Sequence, residues 1–170
     1  MSKAFTRESD DSPDNSDLLR PASPLPPGAK NYLTPGGAKR LSEELDRLVQ
    51  RDRPAVAASP DDADRKRRLQ TLDQRIRQLQ QNLAVAVVVK PPAAPENVVR
   101  FGATVAVREN NGAETRYRIV GVDEMDLDRN WVSWISPIAK ALLNAKVGHR
   151  VRFKFPSGEE ELEILAIHYE

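Results

Sequence analysis

Side chains able to do chemistry gather at three places. Asp61, Asp62 and Asp64 set three carboxylates within four residues, and carboxylate oxygens at that density are the ligands a hard divalent cation prefers. Arg65-Lys66-Arg67-Arg68 follow at once. With Arg75 and Arg77 they give residues 61–77 six positive charges against Asp61, Asp62, Asp64 and Asp73, a net +2. Such a stretch attracts phosphate in a salt-dependent way. The third place is the corner Ser136-Pro137-Ile138-Ala139-Lys140, with the acidic pair Asp123-Glu124 upstream.

Each has a plainer reading. Ser59 as helix cap, Pro60 as first helical residue and acids in the first turn complement a helix dipole, worth ~0.3–1 kcal/mol per acid. That reading is preferred for the three Asp. A solvated helical face explains the basic run as well as nucleic-acid contact does. Ser136-Pro137 is first of all a helix start. Asp123-Glu124 fits a solvated loop as readily as a contact. His149 and His168 lack metal-ligand spacing and read as structural or surface residues. No Ser/His/Asp triad, phosphate-binding loop or glycine-rich dinucleotide motif occurs, so no intrinsic catalysis, cofactor or protein-held metal is expected. The absence of cysteine excludes disulfides, zinc ribbons and thiol chemistry.

The 170 residues carry 26 Lys+Arg against 25 Asp+Glu, a net charge of +1. That balance excludes a strongly basic nucleic-acid tail protein and an acidic solvating one. Hydrophobic content of 39% beside 30% charged residues suits a long exposed helical element next to a small core. No apolar run approaches the ~20 residues a membrane span needs. The opening MSKAFTRESDDSPDNSD has no apolar signal core. A cytoplasmic monomer without membrane contact is expected.

Four segments must position these residues. Residues 1–30, rich in Pro, Ser and Asp, are expected to be a disordered tail. Residues 31–86 predict two helices. Thr34-Pro35 is a start signal, and Ala38, Leu41, Leu45 and Leu48 repeat at spacings of 3 and 4. Leu69, Leu72, Ile76, Leu79 and Leu83 do the same. That narrow seam is the pattern of an antiparallel coiled coil. Constant-sum pairing sets Leu45 against Leu79, Leu48 against Ile76 and Leu41 against Leu83, with Ala55 near Leu69. The connection includes Pro54 and runs on to Asp62. Residues 87–97, with Pro91, Pro92 and Pro95, predict a semi-rigid linker.

Residues 98–170 alternate apolar and polar, which predicts antiparallel strands covered on one face. One short helix starts at Ser136, with Ile138, Ala141 and Leu142 facing inward. Parity around Asn110-Asn111-Gly112 predicts a three-residue loop with Val105 opposite Tyr117, Arg108 opposite Glu114 and Gly112 at positive φ. A Ser157-Gly158 turn sets Phe153 opposite Leu162, Arg152 opposite Glu163 and Lys154 opposite Glu161. Trp131 and Trp134, three apart on one strand, face opposite ways. At least one is expected in the core, and Trp134 is a candidate contact.

Three stretches resemble a known family. They are Thr34, Gly37, Leu41, Glu44-Leu45, Leu48 and Arg53-Pro54; then Arg67-Arg68-Leu69 with Asp73, Arg75 and Ile76-Arg77; then Phe101-Gly102-Ala103, Arg118-Ile119-Val120-Gly121, Asp123-Glu124, Ser136 to Leu143 and Val147-Gly148. Over about residues 31–170 the chain resembles the GreA/GreB transcript-cleavage factors of bacterial RNA polymerase, the GreB branch above all. The resemblance implies an α+β chain: an N-terminal antiparallel two-helix coiled coil plus a C-terminal FKBP-like antiparallel β domain with one short helix. It implies docking of residues 98–170 on the polymerase through Asp123, Ser136, Pro137, Ile138 and Lys140. It also implies entry of the coiled coil into the secondary channel, a tip at Asp61, Asp62 and Asp64, and a patch at Arg65, Lys66, Arg67 and Arg68 facing the nascent RNA. The family tip helps hold a second Mg²⁺ in the polymerase active site, and the polymerase itself hydrolyses the backtracked RNA. This chain departs from that pattern. Its hairpin is shorter by several helical turns in total, no Glu-Asn pair or tip aromatic remains, and Ile135 stands where the family has a polar residue before the Ser. Binding with weak or no stimulation of cleavage is therefore expected. Two alternatives are a short-coiled-coil relative of the Rnk type, which regulates nucleoside diphosphate kinase and also binds polymerase, and a prolyl isomerase. Against the latter, Tyr117, Phe153 and Trp131 are expected in the core.

Overall fold

The computed structural model describes residues 25, 28–60, 63–94 and 96–170. Most of the expected tail, and the tip residues Asp61 and Asp62, lie outside them.

Two helical arms form an antiparallel hairpin. The first comprises α1 (Pro35–Arg47), a wide π turn at Leu48–Asp52 and α2 (Arg53–Ala57). The second is α3 (Ala63–Ala84). Thr34 caps α1, its hydroxyl accepting from Gly37 N–H at 3.0 Å, with Pro35 at the first helical position. Pro54 lies inside the first arm and not in the connection. Proline has no N–H, and its ring would crowd the carbonyl four residues back in a regular helix. The π turn removes that conflict: the Arg53 N–H reaches back to the Leu48 carbonyl, five residues away. The extra residue also rotates the arm beyond it, so Val56 is half-buried whereas Ala55, expected near Leu69, is exposed.

Most of the spaced apolar residues of both arms share one cluster. Leu41, Leu48, Ile76 and Leu79 are buried in one cluster with Leu33, flanked by Ala38, Leu45, Leu72 and Leu83. Two ion pairs clasp the arms. Arg75 forks onto Glu44 at 2.8 and 3.1 Å, and Arg53 Nε donates to Asp73 at 2.6 Å.

Two short strands root the hairpin. β1 (Asn31–Leu33) and β2 (Ala86–Val88) pair in parallel, Asn31 beside Ala86 and Leu33 beside Val88. The expected linker therefore begins inside a strand, as the β-branched run Val87-Val88 favours.

A five-stranded sheet follows: β3 (Thr104–Glu109), β4 (Glu114–Val120), β5 (Trp131–Ser133), β6 (Arg150–Phe155) and β7 (Gly158–His168), in the order β5-β4-β3-β7-β6. Helix α4 (Pro137–Leu142) lies between β5 and β6. The core joins Val105, Val107, Tyr117, Ile119, Val132, Phe153, Leu162 and Ile164 with Ile138, Ala139 and Leu142 of α4. Ala139 is the fully buried alanine of α4; Ala141 is half-buried.

The first hairpin follows the parity argument, with Val105 opposite Tyr117, Arg108 opposite Glu114 and Gly112 at φ 85°. The second is displaced by two residues. Val151 faces Leu162, Arg152 faces Glu161 and Lys154 faces Glu159. The turn is Pro156-Ser157, closed by Phe155 and Gly158, because proline's fixed φ suits the second position of a β-turn. A two-residue slip keeps every side chain on its face, so the core is unaffected. Strand β5 also departs from the antiparallel expectation: it runs parallel to β4, since residues 121–130 loop back to set Trp131 beside Arg118 and Ser133 beside Val120.

Candidate functional site

At the hairpin end, Asp64 lies in the first turn of α3 and is exposed. The expected cap interactions of Ser59 fall on Asp61 and Asp62, outside the described residues; its hydroxyl donates to the Val56 carbonyl at 2.7 Å. Arg65 turns inward. Its guanidinium donates to the carbonyls of Ala57 and Ser59 at 3.4 and 3.3 Å, closing the end of the opposite arm. Lys66, Arg67 and Arg68 are exposed. Of the four consecutive basic residues, three are therefore exposed. Among the described residues no group of three or more His, Asp or Glu could hold a metal ion. Asp64 with four cations following is a poor donor set for Mg²⁺.

The corner expected to dock is mostly buried. Ser136 and Ile138 are both 0% exposed. The Ser136 hydroxyl accepts from Ala139 N–H at 3.3 Å, capping α4, while Ile138 fills the core. Pro137, half-buried, and Lys140, exposed, are what the corner offers a partner.

The two tryptophans divide differently from the expectation. Trp131 is half-buried, with the guanidiniums of Arg40, Arg118 and Arg129 at 4.7, 5.1 and 5.3 Å from its ring. It stacks at the surface rather than in the core. Trp134 meets Tyr32 edge-on at 5.3 Å. Tyr117 and Phe153 are core residues, as expected; burial and the nearby Glu109 and Glu160 carboxylates push the Tyr117 phenol up. His149 and His168 are exposed.

The largest departure is the acidic pair. Asp123 and Glu124 form a 3₁₀ turn with Val122, and it is not a solvated loop. Glu124 is 5% exposed. It accepts from Thr34 N–H at 2.8 Å and Gly121 N–H at 3.0 Å, and from the Thr34 hydroxyl; Arg40 lies 3.7 Å away. Asp123 accepts from the Asn82 and Asn31 amides at 2.8 and 3.0 Å. Both acids tie the sheet to the root of the hairpin. Asn31, Arg40 and Asn82 carry no motif and were not singled out by the sequence. One signal was available: Gly37 sits inside a helix, where glycine costs ~1 kcal/mol relative to alanine, so a close approach was implied.

Residues 94–169 match the family model described as "Transcription elongation factor, GreA/GreB, C-term". The chain is 40% identical over 154 residues to transcription elongation factor GreB of Neisseria meningitidis serogroup B, covering 82% of this chain and 94% of that one. It is 39% identical over 153 residues to GreB of Pasteurella multocida, covering 82% and 97%. A solved GreA/GreB factor from Nitrosomonas europaea is 25% identical over 82% of this chain and 100% of its own, at a TM-score of 0.41, too loose to add to the sequence match. The chain belongs to the GreA/GreB family of transcription elongation factors. In the Neisseria match, 82% of 170 residues is about 139, so about 15 of the 154 matched positions have no counterpart here.

Proposed function

We propose that this chain is a GreB-like elongation factor that binds bacterial RNA polymerase at the secondary channel and acts by occupancy, with weak or no stimulation of transcript cleavage. The C-terminal sheet, read as FKBP-like, docks on the channel rim through Pro137, Lys140 and the surface around them. The hairpin, read as a two-helix coiled coil, enters the channel. The protein is a cytoplasmic monomer that meets the nascent RNA only through the channel, by Lys66, Arg67 and Arg68. Any hydrolysis is performed by the polymerase.

The observation that carries this reading is the length of the hairpin. Arms of 23 and 22 residues, Pro35–Ala57 and Ala63–Ala84, reach roughly 33 Å at 1.5 Å per residue. Two turns lost from each arm retract the tip by about 11 Å at 5.4 Å per turn. A carboxylate must come within ~2–2.6 Å of a metal to ligate it, and water screens what attraction remains.

The test is a backtracked elongation complex with the purified protein. Expected is suppression of a second factor's cleavage, insensitive to Asp61→Ala with Asp62→Ala and lost with Lys140→Glu. Metal-dependent cleavage at the rate of a GreB-type factor, abolished by the double Asp substitution, refutes occupancy.

A further inference from the structure

The hairpin meets the sheet at a joint built around β1, and each residue of that strand is held from a different side. The Asn31 amide reaches Asp123 at 3.0 Å and the Asn82 carbonyl at 3.1 Å. Tyr32 points the other way, its ring 5.9 Å from Phe101 and 5.3 Å from Trp134. Leu33 is buried in the hairpin cluster. The strand lies so close on Gly121 that a methyl group there would collide with the Tyr32 carbonyl.

At the centre is the Glu124 carboxylate. Two of its donors, the N–H and hydroxyl of Thr34, belong to the start of α1; the third, Gly121 N–H, belongs to the sheet's own loop. One oxygen takes both N–H groups and the other takes the hydroxyl. A methyl group at Gly37 would overlap that carboxylate, so two glycines open the space it fills. It also stands at the N-terminal, positive end of α1, which favours an anion. Asp123 adds a second bracket that grips both roots, Asn31 before α1 and Asn82 in the last turns of α3.

We infer that Glu124 is the positioning residue that sets the direction of the helical hairpin relative to the sheet, with Gly37 and Gly121 as its cradle and Asp123 as its second bracket. Function requires direction as well as length, because a hairpin must be aimed before it can enter a channel. That consequence rests on the docking reading above; the geometry does not. The site favours a carboxylate. A glutamine can keep both N–H groups on its oxygen only by turning its NH₂ toward the Thr34 hydroxyl, which must then accept where it now donates while still accepting from Gly37 N–H, and the negative charge at the start of α1 is lost. An aspartate is one methylene too short to reach Thr34 and Gly121 together.

The chain contains no cysteine, so Val49→Cys and Lys154→Cys, at exposed positions on the hairpin and on β6, are the only attachment sites for a pair of spin labels. Electron double resonance on the full chain is expected to give one narrow distance distribution. Glu124→Gln and Gly37→Ala should each broaden or split it, while circular dichroism shows helix and strand retained. Gly37→Ala placed on Glu124→Ala should add nothing further, since the group it would overlap is gone. Should Glu124→Ala lose its fold, Glu124→Gln, which keeps the size, decides. An unchanged single distance in folded Glu124→Gln and Gly37→Ala overturns the inference. On polymerase, Glu124→Gln should still bind but lose its effect on elongation. If the unaltered chain fails to bind polymerase, the docking reading falls and the distance result stands on its own.

Discussion

The hairpin and the sheet are stabilised in opposite ways. The sheet buries a continuous core from five strands and α4, with Val105, Ile119, Val132, Ile138 and Leu142 all at 0% exposure. Among the described residues the hairpin's buried apolar side chains are Leu41, Leu48, Ile76 and Leu79, and Leu33 from β1 completes their cluster. Its remaining cohesion is electrostatic and partly exposed. A hairpin with so narrow a seam is a probe, and its stability is borrowed at the root. A sheet with its own core is a platform. The difference predicts that the hairpin depends on the sheet more than the sheet depends on the hairpin, with the joint as the link between them.

That asymmetry can be broken at its strongest point first. Ile119→Ala, in the centre of the sheet core, should cost about 2–5 kcal/mol. Because hairpin and joint rest on the sheet, denaturant unfolding of this variant should show both signals lost together at lower midpoint. Leu79→Ala is the matched change in the hairpin, at a residue 1% exposed. It should cost about 2 kcal/mol or somewhat more, with helical signal lost while amide-exchange protection in β3 and β7 persists. A single transition for Leu79→Ala at the same midpoint by both probes would show that the two regions are one cooperative unit.

The smallest effect is the pH response of the outer clasp. The hydrogen bond from Arg53, with the charges of Arg53 and Arg77, holds the Asp73 carboxyl below its ordinary value against a smaller opposing effect of burial. A carboxyl depressed in the folded state contributes stability above its unfolded pKa and loses it as pH falls through the folded value. Acidification below about pH 4 should therefore loosen the arms near Arg53. Asp73→Asn should flatten that part of the profile and leave neutral-pH binding intact. An acid response identical in Asp73→Asn would assign it to other carboxylates.

Periodic features were legible in the sequence because they have one physical cause each. The 3-and-4 spacing from Ala38 to Leu48 and from Leu69 to Leu83 marked both arms. Alternation and Gly112 gave the first β-hairpin its register, and Ser136-Pro137 marked the start of α4. Features set by distant partners were not legible. Glu124 looked like any loop acid, because what buries it comes from Thr34, ninety positions earlier. The slip of the second hairpin arose because parity alone does not distinguish a Ser157-Gly158 turn from the observed Pro156-Ser157 turn, which the fixed φ of Pro156 favours. Ser136 and Ile138 carried the family pattern at the docking corner, yet burial assigns them to building α4, which leaves Pro137 and Lys140 outward.

The wide turn at Leu48–Asp52 carries a consequence for engineering reach. It resets the angular phase of the first arm, so positions on its two sides belong to different numbering frames. Seven residues added to each arm beyond Arg53, two turns apiece, would lengthen the rod by about 10.5 Å and bring the apolar stripe back to nearly the same face. A single residue added or removed within the turn would instead swing everything beyond it by about 100°. The turn already carries one such step, and a longer hairpin could be built from this chain by leaving it untouched.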